Sequence, residues 1–341
     1  MISKHTLEQL FKEKGIPKFR VAQALHAIYK EGKMSFDEIT VLPKTLKQQM
    51  GELIKVYSFE VDKEVHSKNG NTTKALFRMQ DGSLIEGVLM HFKDGRNSVC
   101  VSSQVGCGLK CAFCSTGQMG FKRNLSAEEI ADQALYFDQL LKKKNKRVDH
   151  VIFMGMGEPF LNYENVMNAI RTLNDADCLG IAARHITVST SGIIPGIERF
   201  MEEPLQINLA VSMHAPTQEI REKIMPIAKS YKLPDLMDAL KKYMEKTHRR
   251  VSYEYVMLNG INDSEKCAGK LGNLLRGQLC HVNLIPYNET NLGFKNSDKN
   301  ETRQFQKIVE SFGIPITVRV SLGQDISAAC GQLAITKNND K

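Results

Sequence analysis

Cys107-Gly-Leu-Lys-Cys111-Ala-Phe-Cys114 places three thiols within eight residues, with three residues in the first gap and two in the second. Thiols this close, in a chain whose polar start (Met1-Ile-Ser-Lys-His) reads as no secretion signal, are expected to bind metal rather than to form disulfides. A structural zinc site is closed by four ligands, often two CxxC pairs. Here the set is three, and no second CxxC occurs. A [4Fe-4S] cube takes one cysteine per iron, so three cysteines leave one iron open to a small molecule. Closed zinc is the alternative, with His91 or His185 as fourth ligand.

Outward from this stretch, strand and helix patterns alternate. Strands are expected at Ser98–Ser102, His150–Met154, His185–Ser189, Gln206–Ser212, Val251–Leu258 and Cys280–Ile285, with helices between them. The clearest helix starts at Ser126, with Glu129 as the second half of a capping box. Six βα units predict a parallel sheet with right-handed crossovers, curved into a partial (β/α) barrel. Functional groups then collect at the C-terminal strand ends.

Those ends are polar or glycine-rich. Gly155-Met-Gly157-Glu158-Pro159 follows the second strand, and a carboxylate beside glycines can meet a ligand ammonium. Ser189-Thr-Ser-Gly192 follows the third strand with hydroxyls suited to a ribose, and Ser212-Met213-His214 follows the fourth. Asn288, after the sixth, offers an amide that can pair with an adenine edge. Near the chain's end, Cys330 sits beside Gly331 among small residues, whereas Cys178, Cys267 and Cys280 read as inert packing thiols.

The flanks complete the outline. Residues 1–57 read as a helical accessory domain, with a Thr6–Gln9 cap, an apolar stripe of Leu7, Leu10 and Phe11, and further helices at Phe19–Tyr29 and Pro43–Val56. Residues 58–97 switch to a period of two, with hairpin turns at Asn69-Gly70 and Asp81-Gly82, and residues 98–341 form the core. A net charge of +8 suits an anionic partner such as RNA and equally a plain solvated surface. The run Lys142-Lys-Lys-Asn-Lys-Arg147 is read either as a phosphate grip or as a solvated loop. No apolar run of membrane-spanning length occurs. Eight cysteines without a secretion signal point to the reducing cytoplasm.

The CxxxCxxC spacing with Phe113 before the last cysteine resembles the signature of radical S-adenosylmethionine (SAM) enzymes. Cys100-Val-Ser-Ser-Gln-Val-Gly-Cys107, Phe153-Met-Gly-Met-Gly-Glu-Pro, Val188-Ser-Thr-Ser-Gly, Asn283-Leu-Ile-Pro-Tyr-Asn and Asp325-Ile-Ser-Ala-Ala-Cys330-Gly-Gln-Leu together resemble the RlmN/Cfr family of radical SAM rRNA methyltransferases. The resemblance implies an α/β fold: a partial (β/α)6 radical SAM barrel with a small helical N-terminal domain and a short β extension. It implies a [4Fe-4S] cluster on Cys107, Cys111 and Cys114, and a SAM pocket containing Gly157, Glu158, Ser189, Ser212, Met213, His214 and Asn288.

By the same resemblance Cys330 is first methylated by one SAM, and a second SAM supplies the radical, two per turnover. Cys100 resolves the protein–RNA adduct through a transient Cys100–Cys330 disulfide, and Glu86 stands where the family carries its proton acceptor. Thiolate nucleophilicity suits cysteine to the first step. The implied substrate is C2 of adenosine 2503 in 23S rRNA, with a tRNA adenosine as a second substrate, a flavodoxin or ferredoxin as reductant, and a monomeric cytoplasmic enzyme. Val105, Pro159, Ser191 and Pro286 resemble the RlmN branch rather than the C8-methylating Cfr branch. The C8 enzyme and a zinc-stabilised, non-catalytic RNA-binding protein are the competing readings.

Overall fold

The computed structural model describes residues 4–334. Three helices open the chain, α1 (Lys4–Glu13), α2 (Phe19–Leu25) and α3 (Lys44–Leu53). Each buries one stripe, Leu7 with Phe11, Val21 with Leu25, and Leu46 with Met50, at the spacing of an amphipathic helix. The cap expected at Thr6 is not one, because α1 is already running at Lys4. Lys4 reaches across to Asp177, and the apolar stripe rather than a hydroxyl sets where this helix lies.

An antiparallel meander follows, β1 (Phe59–His66), β2 (Thr72–Met79) and β3 (Leu84–His91). β3 pairs antiparallel with β4 (Asn97–Cys100), so the meander is continuous with the barrel sheet. A separate ribbon, β5 (Gln104–Cys107) against β6 (Gly120–Asn124), carries the three-cysteine loop and the short α4 (Ser115–Gln118) between its strands. The sequence pattern does not disclose this ribbon. One strand is wholly buried and the other largely exposed, so neither alternates.

The barrel then builds in order through α5 (Ala127–Lys142), β7 (His150–Phe153), α6 (Tyr163–Asn174), β8 (Ile186–Thr190), α7 (Ile194–Phe200) and β9 (Asn208–Ser212). It continues with α8 (Gln218–Ile224), α9 (Leu233–Thr247), β10 (Val251–Met257), α10 (Glu265–Leu275), β11 (Cys280–Pro286), α11 (Lys299–Glu310) and β12 (Ile316–Val318). β4, β7, β8, β9, β10 and β11 are parallel neighbours in that order, and the short β12 adds a further parallel strand at the edge. The box on α5 is complete. Glu129 N–H donates to Ser126 Oγ at 3.2 Å, and Ser126 N–H to Glu129 Oε2 at 2.9 Å.

Side chains alternate across these strands. Tyr253, Tyr255 and Met257 of β10 are buried beneath the helices, while Ser252 and Glu254 line a cavity inside the barrel. The N-terminal helices are pinned to the outside. Gln139 Nε2 on α5 donates to the Ile28 and Lys33 carbonyls at 3.2 and 2.8 Å, and Lys30 Nζ donates to the carbonyls of Ala176 and Cys178, both at 2.6 Å. Among the described residues no helix is long and apolar enough to cross a membrane.

Candidate active site and cysteine loop

The cysteine loop is shaped at its base by glycine. Gly106 has φ +73°, and a Cβ there would stand 1.9 Å from the Gly120 carbonyl oxygen, so only glycine lets β5 turn into the loop against β6. The loop is then tied on two sides. Ala112 N–H donates to Ile224 O at the end of α8 (2.8 Å), while Ser115 N–H and Thr116 Oγ1 donate to Gly331 O (2.8 Å) and Leu333 O (2.6 Å) of the C-terminal segment.

Cys107, Cys111 and Cys114 line one cavity of about 160 Å³ with Glu158, Ser212 and His214. Burial pushes the Cys107 thiol up to about 11 and Cys111 higher still, and the neighbouring thiols add to both. Such thiols stay protonated unless a metal replaces the protons. No group of three or more His, Cys, Asp or Glu among the described residues is gathered closely enough to hold a single ion. The three thiols edge a shared cavity instead, an arrangement that fits a cluster in which each sulfur takes its own iron. His91 and His185 do not border it. His91 Nδ1 lies 2.7 Å from Asn97 Oδ1, and His185 stacks near His150 with ring centroids 4.5 Å apart, both at the N-terminal end of the barrel strands.

Glu158 is the buried acid of the cavity. Its Oε2 accepts from Ser191 N–H and Ser191 Oγ, each at 2.7 Å, and its Oε1 accepts from Phe160 N–H at 3.0 Å. Burial raises its carboxyl pKa, with the Ser191, Thr190 and Phe160 donors pulling it down. No cation pairs with it among the described residues, which leaves the carboxylate suited to a ligand ammonium. Gly157 (φ +104°) lets the backbone pass Gln104, whose Oε1 accepts from Glu158 N–H at 2.9 Å.

Ser189, Ser212 and His214 border the same cavity, but Met213 does not. Its side chain is fully buried in the core, and its N–H donates to Glu254 O at 3.0 Å. His214 Nδ1 accepts from Val256 N–H at 3.0 Å, which assigns the ring proton to Nε2. Burial, and then the Arg221 charge, push this imidazole down to about 3. Asn288 also borders the cavity, yet both ends of its amide are engaged. Nδ2 donates to Cys330 O at 3.0 Å and Oδ1 accepts from Gln324 Nε2 at 2.7 Å.

Cys330 is exposed and borders two cavities, the one above and a second of about 220 Å³ that also contains Cys100 and Arg319. Desolvation by the surrounding protein raises the Cys330 thiol, and the Arg319 charge opposes that. Cys100 is pushed up to about 12, first by burial and then by Cys330. Arg319 Nη1 is held 3.3 Å from Glu254 Oε2, and Asn283 Nδ2 donates to Glu254 Oε1 at 2.8 Å. Glu86 lies in neither cavity. It is buried, 2.8 Å from Lys74 Nζ, accepts from Ala334 N–H at 3.1 Å, and edges a neighbouring groove of about 790 Å³. Cys178, Cys267 and Cys280 are buried away from all of these.

The sequence marks Ser191 as a branch residue and as part of a ribose-facing turn, not as the partner of Glu158. It gives no role to Gln104, which lies inside a motif quoted for other residues, nor to Lys74, Arg319 and Arg221, which carry no local signal.

A model described as the radical SAM superfamily matches residues 101–267, and one described as the ribosomal RNA large subunit methyltransferase N-terminal domain matches residues 2–56. A probable dual-specificity RNA methyltransferase RlmN of Lysinibacillus sphaericus is 44% identical over 338 residues, 99% of this chain and 88% of that one. A ribosomal RNA large subunit methyltransferase N of Nitrosopumilus maritimus is 41% identical over 96% of this chain and 95% of its own. The crystal structure of a radical SAM methyltransferase from Sphaerobacter thermophilus superposes with a TM-score of 0.94 at 43% identity, covering 97% of each chain.

Proposed function

Since the chain belongs to the RlmN family of radical SAM RNA methyltransferases, we propose that it methylates C2 of the family's 23S rRNA adenosine through a methyl group carried on Cys330. The enzyme uses SAM and a [4Fe-4S] cluster and acts on ribosomal RNA. Cys107, Cys111 and Cys114 would hold the cluster. When bound, the cluster would supply the electron that cleaves the SAM sulfonium to give a carbon-centred radical.

The observation that carries the proposal is the position of Cys330, which borders the three-cysteine cavity on one side and the Cys100 cavity on the other. C2 of adenine is electron-poor and cannot attack a sulfonium methyl, so the methyl must be delivered from a carrier. The Cys330 thiolate displaces S-adenosylhomocysteine from one SAM and keeps the methyl. After a hydrogen atom is removed from that methyl, the carbon adds to C2. The radical adduct would return one electron to the cluster that spent one on sulfonium cleavage, and it loses its C2 proton, for which Glu86 is the proposed acceptor. The Cys100 thiolate then attacks Cys330 Sγ, the carbon–sulfur bond breaks, the released carbon takes a proton, and a Cys100–Cys330 disulfide remains for external reduction. Glu158 would meet the SAM ammonium, Ser189 its ribose, and Ser212 and His214 the rest of the pocket wall, to which Met213 contributes only backbone. Asn288 would act by holding Cys330.

Two SAM per turnover, a flavodoxin or ferredoxin as reductant, tRNA as a second substrate, a monomer, and action in the cytoplasm belong to the same proposal. Val105, Pro159, Ser191 and Pro286, which resemble the RlmN branch, support C2 over C8. Mass mapping of RNA incubated with iron-reconstituted enzyme, SAM and reductant tests the reading. 2-Methyladenosine is expected, and 8-methyladenosine or an unmodified base overturns it.

A further inference from the structure

Arg221 on α8 is fully buried, at 0% exposure, and has no carboxylate partner among the described residues. Its Nη2 donates to Ser191 O at 2.6 Å and to Ser212 O at 3.4 Å, while Nε and Nη1 have no partner at all. Burial lowers the guanidinium to about 10, so it keeps its charge at neutral pH. A buried cation with two unanswered donor groups carries a large desolvation penalty, and folds retain one only where an anion answers it.

The surroundings say where that anion lies. Cys111 immediately precedes Ala112, the residue that fastens the cysteine loop to α8. Ala112 N–H donates to Ile224 O, three residues beyond Arg221 on the same helix, so the cysteine loop and α8 are joined beside the charge. Arg221 does not border the ligand cavity. It lies behind the wall formed by Ser191 and Ser212, which favours an anion at Cys111 over one carried by a molecule inside the cavity. Gly192 makes room for it, since a Cβ there would fall 3.1 Å from Nη2 and 2.9 Å from Leu236.

We propose that Arg221 is the buried counter-charge of the cysteine-held cluster. This rests on the cluster assignment above and adds a role for a residue outside the ligand set. An iron–sulfur cube held by three thiolates carries net negative charge, which grows on reduction, so a fixed cation behind Cys111 favours both assembly and the reduced state. The SAM carboxylate is the other anion that a guanidinium could answer.

The test compares wild type, Arg221→Met and Arg221→Lys. Wild-type iron uptake is scored first, because a wild type that binds no iron removes the cluster assignment itself and this role with it. Without SAM, a redox titration followed by electron paramagnetic resonance should show the Met variant's cluster harder to reduce by tenfold or more, about 59 mV for one electron, with Lys recovering part of the shift. Before iron loading, the Met variant should melt at or above wild type, because an unanswered buried charge has been removed. A Met variant that melts like wild type but fails to retain iron also supports the role. An unchanged potential overturns it, whether or not SAM binding weakens; tenfold weaker SAM binding at unchanged potential reassigns the anion to the SAM carboxylate. A lower melting point before iron loading also overturns it, by making the guanidinium a structural prop.

Discussion

The Asn288 side chain donates from Nδ2 to the Cys330 carbonyl at 3.0 Å and accepts at Oδ1 from Gln324 at 2.7 Å, so one amide fastens both ends of the segment that carries the exposed thiol. Asn288→Ala removes both bonds. A single hydrogen bond of this kind is worth about 1 kcal/mol, so the segment's docked population should fall by about an order of magnitude. Single-turnover methyl transfer should drop about tenfold while iron content stays the same. Equal single-turnover rates would remove this role from Asn288.

Cys330→Ala leaves Cys107, Cys111 and Cys114 untouched, and the hydrogen bonds from their loop to the C-terminal segment end on Gly331 and Leu333 rather than on Cys330. The variant should bind iron and cleave SAM but transfer no methyl to RNA. Cys100→Ala, in the cavity shared with Cys330, should stall later and leave RNA covalently attached to the protein, visible as a shifted band under denaturing conditions. Normal turnover in either variant contradicts the methyl-carrier scheme.

Glu86 and Lys74 form a pair that is nearly closed to solvent, with side-chain exposures of 6% and 14%. Lys74→Met strands a buried carboxylate and should cost about 3–5 kcal/mol, seen as a lower denaturation midpoint. Adding Glu86→Leu should restore much of that loss. Glu86→Gln keeps an acceptor for Ala334 N–H but removes the base, so methyl transfer should fall by about 10²–10⁴. A Gln variant with full activity would exclude Glu86 as proton acceptor.

His214 makes the fold sensitive to acid. Burial, then Arg221, hold its pKa at about 3 in the folded chain, against 6.5 ordinarily. The unfolded chain therefore binds the extra proton between those values, and stability falls as pH drops through that window. By about pH 5 the loss is about 2 kcal/mol. Urea titrations of the iron-free protein should show it, and His214→Gln should flatten the dependence. Parallel pH profiles for the two proteins would place the acid sensitivity elsewhere.

Gly106→Ala forces a Cβ against the Gly120 carbonyl at a backbone angle that side chains rarely adopt. The β5–β6 ribbon should open and displace Cys107, the last residue of β5. Iron uptake should fall sharply with little change in far-ultraviolet circular dichroism, since only nine residues lie in the ribbon's two strands. Full iron loading in this variant would show that the ribbon does not position the loop.

Much of this was legible in the chain. The six parallel strands appear within two residues of their expected bounds, for β-branched and aromatic runs such as Val251–Met257 have little choice once buried. The Ser126–Glu129 box works because both bonds lie within one helical turn. Thr6 failed as a cap for the converse reason: a hydroxyl three residues before a glutamine is only a permitted cap, and the packing of Leu7 and Phe11 carried the helix past it. Met213 lies between Ser212 and His214 in the motif, but alternation along the backbone turns its side chain into the core.

Sequence alone determined the chemistry available: three closely spaced thiols, an acid among glycines, and two further cysteines at opposite ends of the core. It did so because those groups lie in short motifs whose members are neighbours along the chain. Only the tertiary structure decided which distant groups meet. Cys100 faces Cys330 across one cavity, Lys74 pairs with Glu86, and Arg221 is buried behind Ser191 and Ser212 with two donor groups unpaired. The energies that fix those meetings are burial and charge, which depend on what surrounds a side chain and leave no local pattern to read.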